Sequence, residues 1–503
     1  MVPSPPPAPS SLRLSHWTER GRAAAPLLFT LLAFVLSRLH YARRGVLFTE
    51  DTLGWFFQFI EPRLLRERLL ESVTFLHSQP PLFNLFLGAV LKAAPEAPGL
   101  LFARLYTLAG GALTLCLYGL LVRLQVPRWP SALVTALFMA SPATVLYENW
   151  LFYTYPEALL LCGSALLVHR FAASGRPGAG GLFFAALGVL ALTRGSFHLV
   201  WYLAMVGLAL SMGRASRRTV LLAAAGPLLL LLALHTKNAL CCGTFSASSW
   251  FGMNLAQIAL RQAPAGAREA LILEGRASPL ARQDAFRPLS SYPPEHRLLR
   301  GPDVPVLRRE WKESGAPNFN HIGYVQLSKD FAKDALLLVR EHPGHYLGTV
   351  VRGLRLFLAP ASDYPFLSSN RQRVREETWL SNRYLWGMYG ARTREAGSEW
   401  LSPEEGAERT QWHWVGLLFI GLGAAVAECW THRRRTGAFS AEDITRVFLA
   451  LNILYVVGVS NLFEYGENNR LRFPIDPLVL ALGVAGLMTG GRALRARLKA
   501  RRP

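Results

Sequence analysis

Long apolar runs recur along the whole chain, separated by short polar or basic stretches. Helices satisfy their own backbone groups, so they are the spanning form for runs of this length. The pattern predicts spans at about 24–41, 99–122, 131–147, 155–170, 179–193, 196–212, 219–236, 412–430, 444–461 and 475–491. The expected fold class is an all-α polytopic membrane protein, a bundle of about ten transmembrane helices. Residues 346–358 are apolar apart from Arg352 and Arg355. They would form either an interfacial helix or an eleventh span. The interfacial reading is preferred, because an eleventh span would carry the basic C-terminal tail to the outer side.

One early stretch breaks the pattern. Residues 48–84 follow the first apolar run and begin with two adjacent acids, Glu50 and Asp51. Apolar residues then recur at helical spacing: Trp55, Phe56, Phe59, Ile60, Leu64 and Leu65. The stretch carries too many charges to cross a bilayer. It is expected to lie on the surface with its apolar face down. The chain then divides into a disordered tail, 1–23; a transmembrane module, 24–236, with outer loop 42–98; an outer region, 237–411, long enough to hold its own interfacial helices; further spans in 412–491; and a basic tail, 492–503.

Charge sets the orientation. The 503 residues carry a formal net charge of +21, yet only 17% are charged, against about 25% in soluble domains. The basic residues cluster in short loops, such as Arg214, Arg217 and Arg218, or Arg433 to Arg435, and in the C-terminal tail. That is the positive-inside pattern, not a nucleic-acid-binding face. Both termini are expected in the cytoplasm, in an integral multi-pass protein of the inner or plasma membrane. The five cysteines show no CxxC or His/Cys ligand spacing, so no cysteine-based metal site is expected.

The outer turns hold the candidate chemistry. Glu50, Asp51 and His77 lie in the first, Glu148 in the second, and Lys237 just past the seventh span. Glu464, Glu467, Arg470 and Arg472 lie in the last. Glu157 falls inside a span and Arg194 between two spans. A charge inside a membrane needs a partner, so Glu157 reads first as a member of an ion pair. Arg470 and Arg472 run against the positive-inside trend, and arginine binds phosphate with paired hydrogen bonds. Headgroup contact is the plainer alternative for them, and snorkelling for Arg194.

In order along the chain, these motifs resemble the GT-C glycosyltransferases, especially protein O-mannosyltransferases and lipid A aminoarabinose transferases. The resemblance rests on the acid pair after the first span, then on His77-Ser78-Gln79-Pro80-Pro81-Leu82-Phe83-Asn84. Phe102 to Arg123, Ser141-Pro142 with Tyr147-Glu148-Asn149, Glu341 to Leu347, and Asn469 to Pro477 extend it. Two departures stand out. The acids run Glu-Asp where the family often has Asp-Glu, and Gln79 precedes Pro-Pro where the family often has His.

The resemblance implies transfer of a sugar from a polyprenyl-phosphate donor to an acceptor hydroxyl of a glycan, lipid or protein on the extracytoplasmic face. One acid of the pair would be the base, and the reversed order leaves open which; Asp51 is preferred over Glu50 because it opens the helical segment, where an acid can accept backbone N–H groups and be held in one orientation. Glu148 would be a second acid, positioning the acceptor or a metal. His77, Gln79, Arg194, Lys237, Glu467, Arg470 and Arg472 would contact substrate. No cofactor is required; a divalent cation held by Glu50, Asp51 and Glu148 is an option. No GxGxxG opens a helix after a strand, which fits a lipid-linked donor rather than a nucleotide sugar. A lipid-linked glycan polymerase or ligase, and a lipid or solute transporter, are the other classes that this architecture permits.

Overall fold

The computed structural model describes residues 11–211, 213–297, 301–390 and 400–500. Among these residues there is no β-strand, only isolated bridges. Seven helices are long and apolar enough to cross a membrane: Ala24–Arg43, Pro98–Arg123, Thr154–Ser174, Arg217–Cys242, Trp412–Thr436, Ala441–Leu462 and Asn468–Ala500. An eighth span is available if Arg128–Met139 and Pro142–Glu148 count as one, bent by 59°. The bend has a local cause. Ser141 is extended, and Pro142 opens the second helix at a position where its missing N–H costs nothing.

The described residues therefore form an all-helical polytopic membrane protein with seven or eight long apolar helices, against the ten spans expected. The difference lies in 179–193 and 196–212. These form the shorter apolar helices Pro177–Thr193 and Leu199–Leu210, of 17 and 12 residues. At 1.5 Å per residue, the second covers only about 18 Å of a core about 30 Å thick. The break between them begins at Arg194, which leaves the helix in an extended conformation.

Small residues set the closest helix crossings, as expected where lipid supplies no hydrophobic drive. A Cβ on Gly188 would lie 2.7 Å from Pro227, and one on Gly483 would lie 2.7 Å from Leu417. The segment 476–486 is buried on every side, so the last span forms the centre of the bundle.

Outside the spans, the structure departs from expectation in three places. The helix that contains the first span starts at Ser11, inside the tail expected to be disordered; residues 1–10 lie outside the described set. At the other end, the last helix runs to Ala500, well into the expected basic tail; 501–503 are not described. The single amphipathic helix expected after the acid pair is three short ones, Thr52–Trp55, Pro62–Glu67 and Leu69–Thr74. Phe56 turns extended and Pro62 starts afresh, which breaks the helix while keeping Phe56, Phe59, Ile60, Leu64 and Leu65 buried.

The region 237–411 holds helices of its own, including Phe251–Ala259, Gly323–Glu341 and Pro343–Leu358. Trp250, Met253, Phe319, Tyr324 and Phe331 contribute to a second core there. Pro343–Leu358 has 16 residues; Leu347, Val351 and Leu354 are exposed along one face, and Gly353, Leu356 and Phe357 are buried on the other. An apolar outward stripe on a short helix suits a membrane surface.

Candidate active site

The acid pair is held by the backbone of the second outer turn. Thr49 forms a parallel bridge to Trp150: its N–H donates to Asn149 O at 2.9 Å, and its carbonyl accepts from Leu151 at 3.0 Å. Thr52 Oγ1 donates to Leu151 O at 3.2 Å. These bonds place Glu50 and Asp51 beside residues 149–152. Glu50 lies over the first turn of helix Pro98–Arg123, where a Cβ on Gly99 would fall 2.5 Å from its Oε1. Its Oε2 is buried and has no hydrogen-bond partner. Burial, and then the neighbouring Asp51, push the Glu50 carboxyl above the usual range, while Arg66 opposes the shift. Asp51 is exposed. It precedes the helix Thr52–Trp55, but its side chain caps no N–H, contrary to the orientation expected for an acid at a helix start. A four-residue helix has little terminus to cap.

From this turn an aromatic wall leads to two arginines. Trp150 packs on Phe152 at 4.7 Å and on Tyr364 at 5.5 Å between ring centroids. Arg470 lies between them, with its guanidinium 4.9 Å from the Phe152 ring and 5.5 Å from the Tyr364 ring. Glu467 forms an ion pair with Arg470 and accepts from Tyr364 Oη at 3.0 Å. Arg470 is 4% exposed, and its Nε is buried without an acceptor among the described residues. Arg194 stands over the Tyr153 ring at 5.7 Å and contacts both oxygens of Glu157, at 2.8 and 2.6 Å. Glu157 is thus the ion-pair member that its place in a span requires. A small recess opens beside this pair, lined also by Ser196, Tyr455, Val456, Val459 and Ser460.

Glu464 completes the group. Its Oε1 accepts from Asn254 Nδ2 at 3.2 Å. Burial, and then Glu467, raise its carboxyl to about 7, against the pull of Arg470 and Arg194. Such a group can hold or release a proton near neutrality.

Other candidates are engaged elsewhere. Glu148 is buried and pairs with Arg38, whose Nε donates at 3.1 Å; Tyr155 Oη donates to it at 2.7 Å. Its carboxylate thus points into the bundle. Arg472 is 1% exposed and bonds Asp476, Gln411 at 2.6 Å and Leu358 O at 3.2 Å. His77 is fully buried between Ser249 Oγ at 2.8 Å and Asn320 O at 3.0 Å. Burial is the main force pushing it down to about 3, so the ring is neutral. Lys237 Nζ donates to Leu76 O at 2.6 Å. His77 and Lys237 thus fasten the end of the first loop to the outer region. Gln79 is half-buried and close to this seam in sequence.

The structure therefore brings together Arg194, Glu467 and Arg470, and joins them through aromatics to the turn beside Glu50 and Asp51. It does not bring in His77, Lys237 or Arg472. Arg38, Tyr153, Tyr364 and Asn254 escaped sequence reasoning. Arg38 at the end of the first span could have been found as the counter-charge that Glu148 needs. Tyr364 and Asn254 carry no local signal. Among the described residues, no group of three or more His, Cys, Asp or Glu is placed to hold a metal ion. Chemically, the arrangement offers an open carboxylate at one end of an aromatic wall and an arginine with an unused donor further along it. No family model, curated protein or solved structure matches the chain.

Proposed function

We propose that the protein is a membrane glycosyltransferase that moves a sugar from a polyprenyl-phosphate donor to an acceptor hydroxyl on the extracytoplasmic face. The observation that carries this reading is Arg470. Its guanidinium is buried between two aromatic faces and keeps one donor without an acceptor. A buried unsatisfied donor is costly, of order 1–3 kcal/mol. A phosphate oxygen would satisfy it, and Arg194 supplies a second positive charge nearby. The recess beside Arg194 is small and lined in part by the apolar Val456 and Val459.

In the reaction, the acceptor oxygen forms a bond to the anomeric carbon as the bond from that carbon to the phosphate oxygen breaks. Polyprenyl phosphate leaves with the electron pair, and Arg470 and Arg194 stabilise its charge. The proton of the hydroxyl passes to Asp51, which is exposed and whose carboxylate caps no N–H of the helix that follows it. Glu50 is the half-buried neighbour. Glu148 and Arg472 support the site from within the bundle, and His77 and Lys237 through the loop that they fasten. The test is release of polyprenyl phosphate from a polyprenyl-phosphate sugar by the reconstituted protein. Arg470→Leu should reduce it strongly, and Arg470→Lys should restore part of it, because a lysine lacks the planar fork.

A further inference from the structure

Residues 309–318 form a tight hairpin laid across the first outer loop. Lys312 N–H donates to Ala316 O at 2.8 Å, Gly315 N–H donates to Lys312 O at 2.9 Å, and Asn318 N–H donates to Glu310 O at 2.9 Å. Gly315 turns the tip at φ +80°, where a side chain would be strained. The tip reaches two carbonyls at the end of the short helix Thr52–Trp55, of which Phe56 O also accepts from Phe59 N–H at 3.1 Å. Ser314 Oγ donates to Gly54 O at 2.8 Å, and Lys312 Nζ donates to Phe56 O at 2.6 Å. Phe56 in turn packs on Phe152 at 5.0 Å, the ring under Arg470. The hairpin thus holds the segment that follows Asp51 against the wall that leads to the arginines.

Lys312 is an unusual clasp. It is 5% exposed, and an ammonium has three donors, but its Nζ has one hydrogen-bond acceptor among the described residues. The carboxylate that faces it from the first loop is Glu61, also 5% exposed, with one oxygen buried and unpartnered. Glu61 is shared with Arg309 of the hairpin, at 3.4 Å. Glu313, next along the hairpin, pairs with Arg63 at 2.9 Å and also faces Glu61, so that burial and then Glu313 hold the Glu61 carboxyl above its usual range against Arg309. The closed hairpin therefore buries a cation with too few acceptors.

We propose that residues 309–318 are a strap that positions the acid pair, and that loss of the Lys312 proton tightens it. The positioning role in catalysis rests on the transferase reading; the strap itself does not. The direction follows from linkage. Burial, opposed by Glu61, lowers Lys312 to about 7, well below the ordinary lysine value near 10.4. Between those values, the open strap binds more protons than the closed one, so raising the pH favours closure. Below about 7 both forms hold the proton and the dependence vanishes.

Hydrogen–deuterium exchange of residues 52–57, in the full-length protein in nanodiscs at pH 7, 8 and 9, tests this without any substrate. After correction for intrinsic exchange, the opening constant should fall with pH by up to about 10-fold per unit. Lys312→Met and Lys312→Arg should both be flat across this range, since neither titrates there, with the Arg variant the more open. Protection of helix Gly323–Glu341 reports that each variant is folded. A flat wild type, or a slope that survives either substitution, overturns the proposal. Loss of transferase activity, or its absence, leaves this result unchanged.

Discussion

Replacing Arg194 by Leu should destabilise the protein far more than replacing it together with its partner. Glu157 is fully buried inside a span, and both its oxygens lie within 2.8 Å of Arg194 Nη1. Removing the guanidinium leaves a buried carboxylate without its hydrogen-bonded counter-charge and with Arg470 as a more distant cation, at a cost of about 3–5 kcal/mol. Burial raises the cost, because Arg194 itself is only 9% exposed and little water replaces it. Replacing both residues by leucine removes the orphan charge, and buried pairs exchanged for apolar residues are often neutral or more stable. The double variant should therefore recover most of the loss. Equilibrium unfolding by SDS in mixed micelles, run as a double-mutant cycle, measures the coupling directly. A loss below about 1 kcal/mol in Arg194→Leu would refute the reasoning. So would a double variant no more stable than the single one.

Two other outcomes follow from the same structure. His77 is neutral when folded and pushed down to about 3, so the unfolded chain binds its proton first as the pH falls below about 6.5. That contribution to stability is complete above 6.5 and should shrink by about 2 kcal/mol at pH 5, a loss absent from His77→Gln in the same unfolding assay. If the asymmetry of the basic loops sets the orientation, 237–411 is extracytoplasmic. Single cysteines introduced between 260 and 290 should react with an impermeant thiol reagent in intact cells, and reaction only after lysis would reverse the orientation.

How far the sequence reaches can be judged residue by residue. Apolar runs long enough to span are visible because the bilayer sets a minimum length; helices Pro98–Arg123, Thr154–Ser174 and Ala441–Leu462 match the expected runs closely, whereas Ser11–Arg43 and Asp476–Ala500 extend well beyond theirs into polar sequence. The two shorter helices read as full spans in the sequence because hydropathy does not register the break at Arg194. The pairing of Glu157 followed from its place in a span, although its partner did not. His77 and Arg472 looked like ligands for substrate because polar residues in outer turns stand out in a sequence. Only folding shows that one fills a seam between loops and the other ties Asp476 to Gln411. The loss of capping at Asp51 was equally hidden, since Phe56 and Pro62 break the helix that the apolar spacing suggested. Lys312 becomes informative only when it is folded against Phe56, 256 positions away, and Tyr364 only when it meets Trp150 and Glu467.

The account stands most directly on one turnover measurement. Purified protein in liposomes is supplied with polyprenyl-phosphate-linked sugars and a hydroxyl-bearing acceptor, and release of polyprenyl phosphate is followed for wild type, Asp51→Asn, Glu50→Gln and Arg470→Leu at matched expression. Wild type should release it with at least one of the sugars. Asp51→Asn should fall by at least about 10²-fold, the usual contribution of a general base. Glu50→Gln should lose less, and Arg470→Leu should lose donor use. Wild type that releases nothing from any polyprenyl-phosphate sugar, or Asp51→Asn and Arg470→Leu variants that both turn over at the wild-type rate, would contradict the assignment.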